Sequence, residues 1–131
     1  DSKGATMTLI TLTHGERIAA YASESWDGNK NNWVNSRHNL LYSLNQNNWM
    51  MSTSAPHYGQ KNGMSYGPTF GGGHDLYVPK ELNKVTSTKS SFYGAMTSQE
   101  LCGVGGGGNI EKLEVWTTTT DISGAFPHPP P

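Results

Sequence analysis

The sequence predicts a mainly β protein: two antiparallel sheets packed as a sandwich, with few short helices and long loops rich in Gly, Asn and Ser. Three observations predict it. Short stretches with apolar residues at period two alternate with turn residues, the signature of half-buried strands. No stretch sustains the 3.6-residue period of an amphipathic helix. Charged residues make up only 15% of the chain and the net charge is −1, which is not the highly charged pattern of a disordered chain. Four Trp, six Tyr and three Phe supply the large apolar area a small core needs. The expected organisation is a single domain over residues 1–125 and a Pro-rich arm over 126–131, where Pro127, Pro129, Pro130 and Pro131 favour polyproline II.

In chain order, Met7 to Leu12 reads as a strand of apolar and β-branched residues. His14-Gly15-Glu16 is a turn, and Ile18, Ala20 and Ala22 at period two make a second strand, so a hairpin that closes at Trp26. Asp27 to Arg37 is a polar loop carrying Trp33. Asn39 to Leu44 is a short strand with Leu40 and Tyr42 on one face. A turn at Gln46-Asn47-Asn48 leads into a strand that begins at Trp49-Met50-Met51. Pro56 to Gly63 reads as loop. Thr69 to Val78 holds a run of three glycines followed by a strand, which Pro79 stops. Glu81 to Lys84 fits one helical turn, and Thr86 to Ser91 is polar and hydroxyl-rich. Gly103 to Gly108 is a second glycine loop. Ile110 to Thr117 is the clearest strand of the chain.

Few residues point to chemistry. Gly103-Val104-Gly105-Gly106-Gly107-Gly108 matches a dinucleotide fingerprint literally, but a strand-like segment follows where a helix is required. His74-Asp75 resembles an acid–base pair, yet neighbours in a strand point to opposite faces, so hydrogen bonding to nearby backbone is the expected role. His14, His38, His57, His74 and His128 show no ligand spacing, so no metal and no cofactor are expected. Cys102 is the single cysteine; it reads as a small buried thiol or as a bridge to another chain. Trp33, Trp49 and Tyr58 could form a sugar-stacking surface or fold back onto the core. No catalytic set emerges, and the expectation is a protein that is not an enzyme.

Scattered Lys and Arg with a net charge near zero argue against a nucleic-acid partner. No run of about 18 apolar residues is present, so no membrane insertion is expected. The first residue is Asp1, which fits a processed chain of extracellular or vesicular location and is compatible with the cytoplasm.

Taken in order, four parts of the chain resemble the TLD (TLDc) domain family. They are the strand pair Met7–Trp26, the strand Asn39-Leu40-Leu41-Tyr42-Ser43-Leu44, the segment Gly67-Pro68-Thr69-Phe70-Gly71-Gly72-Gly73-His74-Asp75-Leu76, and the strand Ile110-Glu111-Lys112-Leu113-Glu114-Val115-Trp116. The glycine segment is the specific one. The chain departs from the family in lacking the helical segment that usually precedes the first strand, and in Ala19-Ala20-Tyr21 where glycines are usual. The resemblance implies a sandwich without a well-defined catalytic centre, and a link to oxidation resistance and to binding of the vacuolar proton pump.

Composition by itself suggests a different use: a non-enzymatic structural protein that self-associates through polar surfaces, as a scaffold for an extracellular matrix or a biomineral such as silica. Its expected partners are itself and a mineral or polysaccharide surface, with Cys102, Trp33 and Trp49 as contacts between chains. The alternatives are the TLD-type regulatory binding module and a carbohydrate-binding module.

Overall fold

The computed structural model describes residues 4–26, 32–36, 38–52, 58–63, 66–89, 92, 94, 96–97, 101–103 and 106–117. The Pro-rich arm, the loop residues 27–31 and 37, and positions 104 and 105 of the second glycine loop lie outside the described residues.

The protein is mainly β and antiparallel. Its strands are β1 (Thr6–Leu12), β2 (Arg17–Ala22), β3 (Trp33–Val34), β4 (Leu40–Ser43), β5 (Asn48–Met51), β6 (Gln60–Lys61), β7 (Tyr66–Phe70), β8 (Leu76–Pro79), β9 (Lys84–Thr86) and β10 (Gly107–Thr117). Eight form one continuous order, β5-β4-β2-β1-β10-β9-β8-β7, and β3 and β6 form a separate ribbon.

The order divides into a first layer, β5-β4-β2-β1, and a second, β9-β8-β7, whose buried residues share one core, and β10 belongs to both. Its first residues, Gly107 to Asn109, pair with β9. From Ile110 onward it pairs with β1. At the handover Leu12 faces Ile110 while Thr11 faces Lys112, so Glu111 is one residue extra. A bulge of this kind bends the strand and increases its twist. It lets one strand leave the first layer and enter the second.

Between the layers lies one apolar core. β1 alternates strictly, with Thr6, Thr8, Ile10 and Leu12 buried. Ile10, Leu12, Ile18, Leu41 and Met50 come from the first layer, and Phe70, Leu76, Val78 and Val85 from the second. Phe92, Met96, Leu101 and Cys102, from the segment between β9 and β10, complete it. Trp26 meets Phe70 edge-to-face at 5.4 Å, and Phe70 meets Phe92 at 6.2 Å; such pairs add about 0.5–1.5 kcal/mol each beyond burial. Trp26 also donates its indole N–H to Thr6 Oγ1 at 3.1 Å, which explains a buried threonine at the end of β1. Tyr21, Leu40 and Met51 form a smaller cluster on the outer face of the first layer, with Met7, Tyr42 and Trp49 against it.

A polar knot ties the β3–β6 ribbon to this body, centred on the fully buried Asn39. Its Oδ1 accepts Ser23 N–H and Ser36 Oγ–H, both at 2.8 Å. Its Nδ2 donates to Gly59 C=O at 2.9 Å and to Gln60 Oε1 at 3.1 Å. The side chain thereby fills its full complement of two donors and two acceptors. Ser52 Oγ accepts the Asn39 N–H at 3.1 Å and donates to Ser36 C=O at 2.6 Å. Gln60 Nε2 reaches on to Glu24 C=O at 3.1 Å.

Several elements differ from the sequence expectation. Lys84 is the first residue of β9 instead of the end of a helical turn; the turn before it closes through Leu82 N–H to Pro79 C=O at 2.9 Å. The loops around Trp33 and Gln60 contain β3 and β6, and β7 begins at Tyr66, ahead of the glycine run. Two- and three-residue strands are too short for a period to register.

Turning from β7 to β8 requires Gly71, which has φ of +87°. A Cβ there would lie 1.9 Å from Asp75 Oδ1. Gly71→Ala is therefore expected to cost about 3 kcal/mol or more, combining backbone strain with a steric clash. Chemical denaturation of the variant beside the parent measures it.

Candidate functional site

The β7–β8 hairpin pairs Phe70 with Leu76 and Thr69 with Tyr77. His74 N–H closes the turn on Gly71 C=O at 3.1 Å. Within this segment the predicted motif residues divide by role. Phe70, Gly71 and Asp75 are buried, Gly67, Pro68 and His74 are half-buried, and Gly72 and Gly73 are exposed.

His74 and Asp75 do not act as a pair. Asp75 is buried, and its Oδ2 accepts Phe92 N–H at 3.0 Å, while its C=O accepts Ser87 Oγ–H at 2.6 Å. The carboxylate thus serves backbone hydrogen bonding and tethers the segment after β9 to the glycine turn. His74 sits at φ of +61° and points its ring the other way, onto Tyr77.

That ring starts a continuous aromatic ribbon. His74 stacks on Tyr77 at 4.9 Å and meets Tyr66 edge-on at 5.8 Å. Tyr66 meets Tyr77 at 5.7 Å. Lys61 Nζ lies 5.9 Å from the Tyr66 ring and 5.1 Å from the Trp33 ring. Trp33 meets Tyr58 edge-to-face at 5.3 Å. The β3–β6 register places Trp33 directly opposite Lys61, so the cation–π contact follows from strand pairing. Tyr58 C=O accepts Gly71 N–H at 3.0 Å, which joins the ribbon's two ends to one frame. All six side chains retain solvent exposure, Tyr58 the most.

This surface can grip. It offers flat, stiff rings around one cation, and such residues lose little conformational freedom on binding. Among the described residues no group of three His, Cys, Asp or Glu comes together as a metal site.

Sequence reasoning pointed to Trp33 and Tyr58 together and to His74 separately, and missed Lys61, Tyr66 and Tyr77. The signal for Tyr66 and Tyr77 was their position in a hairpin whose register is set by the turn. The trio Trp33, Trp49 and Tyr58 is not one surface: Trp49 lies on β5 in the outer-face cluster with Tyr21, Leu40 and Met51.

The second glycine loop has another purpose. Cys102 C=O accepts a hydrogen bond from His14 Nε2–H at 2.8 Å. A Cβ at Gly103 or Gly108 would lie 2.7 or 2.6 Å from the His14 ring, so the loop is moulded around that histidine. It runs directly into β10, so no helix N-terminus awaits a pyrophosphate. Cys102 is fully buried in the core, which places the thiol out of reach of a second chain in the folded state. The bridge between chains is thus replaced by the buried-thiol role.

A family model described as the TLDc domain matches residues 1–119. No curated protein matches the chain.

Burial, and secondarily the Glu16 carboxylate, push the Cys102 thiol up from 9.0 to about 12. At pH 8 protonation alone lowers its thiolate fraction about a thousandfold. Ellman's reagent at pH 8 is expected to leave the native thiol untouched and to label one thiol per chain in denaturant. Because the folded value is the higher one, this group's contribution to stability is complete below pH 9 and is lost as pH rises toward 12. Denaturation midpoints across that range check the sign.

Proposed function

Because the chain belongs to the TLDc domain family, we propose that it is a non-catalytic regulatory binding module of the TLD type, which meets its partner through the ribbon of Tyr77, His74, Tyr66, Lys61, Trp33 and Tyr58. The observation that carries this reading is the cluster of partly exposed rings around one lysine on a hydrogen-bonded frame. Trp and Tyr side chains are common anchors of protein interfaces. The family's link to the vacuolar proton pump and to oxidation resistance supplies the partner class. Membership of the family favours this reading over the matrix or silica scaffold that composition alone suggests. It also favours it over a carbohydrate module.

Binding to the purified cytosolic sector of a vacuolar proton pump, read by biolayer interferometry, tests the proposal. The expected affinity is about micromolar, with a loss of about tenfold or more in Trp33→Ala and Tyr66→Ala. Leu44→Ala, at an exposed turn outside the ribbon, is expected to bind like the parent. An absence of binding at about 100 μM overturns the reading.

A further inference from the structure

Most strand edges of this sheet are occupied. The β5 edge lies against Gly94, where a Cβ would approach Trp49 O to 2.4 Å and Met50 Cα to 2.8 Å. Beside β7 runs the Tyr58–Lys61 segment, tied to it by Gly71 N–H to Tyr58 C=O at 3.0 Å. β10 differs. Its β9 partner ends at Asn109, and Ile110 N–H turns to Asn83 C=O at 2.9 Å. From Lys112 to Thr117 one edge pairs with β1, and the other meets no strand among the described residues. An open edge of this length is a template for another strand.

The side chains along that edge are complementary to themselves. Lys112 and Glu114 face Thr11 and Leu9 on one side of the sheet, 3.2 Å apart from each other, and both are solvent-accessible. Leu113 faces Ile10 on the core side. An antiparallel copy centred on Leu113 sets Lys112 opposite Glu114 of the second chain, and Glu114 opposite its Lys112. Four charges then alternate in sign on one face, with Leu113 against Leu113 on the other. A slip of one residue sets Lys112 against Val115 and Leu113 against Glu114, which loses both matches. Centring on Glu114 instead places two carboxylates face to face. Val115 and Trp116, 53% and 58% exposed, lie beside this contact and lose water when it forms. A net charge of −1 adds little repulsion between copies.

We propose that β10 pairs with β10 of a second copy of this chain, antiparallel and centred on Leu113, to form a two-fold dimer by sheet continuation. The proposal is independent of the ribbon's function and uses other residues.

Charge exchange tests it, read by sedimentation equilibrium from about 1 μM to 1 mM. The parent is expected to dimerise. Lys112→Glu alone and Glu114→Lys alone each set like charges opposite one another and are expected to weaken dimerisation about tenfold or more. An equimolar mixture of the two single variants is expected to restore dimers, because each then presents the other's complement. Both side chains reach solvent, so far-UV circular dichroism is expected to match the parent. A parent that stays monomeric at 1 mM, single variants that dimerise like the parent, or a mixture no better than either variant alone overturns the proposal.

Discussion

One buried amide holds the aromatic ribbon of this protein in place. Asn39 is fully enclosed, and an enclosed side-chain amide is costly unless each donor and acceptor is used. Here they are used, and the four bonds reach three parts of the chain: Ser23 after β2, Ser36 after β3, and Gly59 with Gln60 at β6. The β3–β6 ribbon has only two residues per strand and could not persist alone. Its order comes from the knot. Once Gln60 is fixed, Lys61 follows it on β6, and strand pairing puts Lys61 against Trp33. The aromatic ribbon is therefore a consequence of a polar core, which is rare in a body otherwise held by apolar packing.

The glycine segment supports the same surface from the other side. Gly71 yields space to the Asp75 carboxylate, and the carboxylate ties Phe92 into the core. The turn that results lifts His74 out toward Tyr66 and Tyr77. A motif that looks like an acid–base pair in the sequence is divided by the backbone into a buried tether and a surface ring. The second glycine loop is likewise architectural, shaped to accept His14. Both glycine-rich stretches give close approach inside the protein.

Some of this was legible in the chain. β1, β2, β4 and β10 announce themselves because period two and turn residues are local properties, and the glycine segment carries the family resemblance. Long-range features left no local mark. β9 reads as polar because only Val85 of its three residues is buried. The handover of β10 between layers depends on one extra residue, Glu111, whose bulge has no signature of its own. Trp33 and Trp49 look alike in sequence, each set among asparagines, yet one joins the surface ribbon and the other the outer-face cluster. Strand partners decide that, and partners are distant in sequence.

The Asn39 knot makes the ribbon as rigid as the core beneath it. Native-state hydrogen exchange tests this without altering a residue. The amides of Ser23, Asn39, Ser52, Asn62 and Gly71 all donate across the knot or the ribbon's frame. They are expected to exchange within about tenfold of the Ile10 and Leu12 amides in β1, through the same global opening. Exchange about a thousandfold faster, with β1 still protected, would mean that the ribbon opens by itself, and would contradict it.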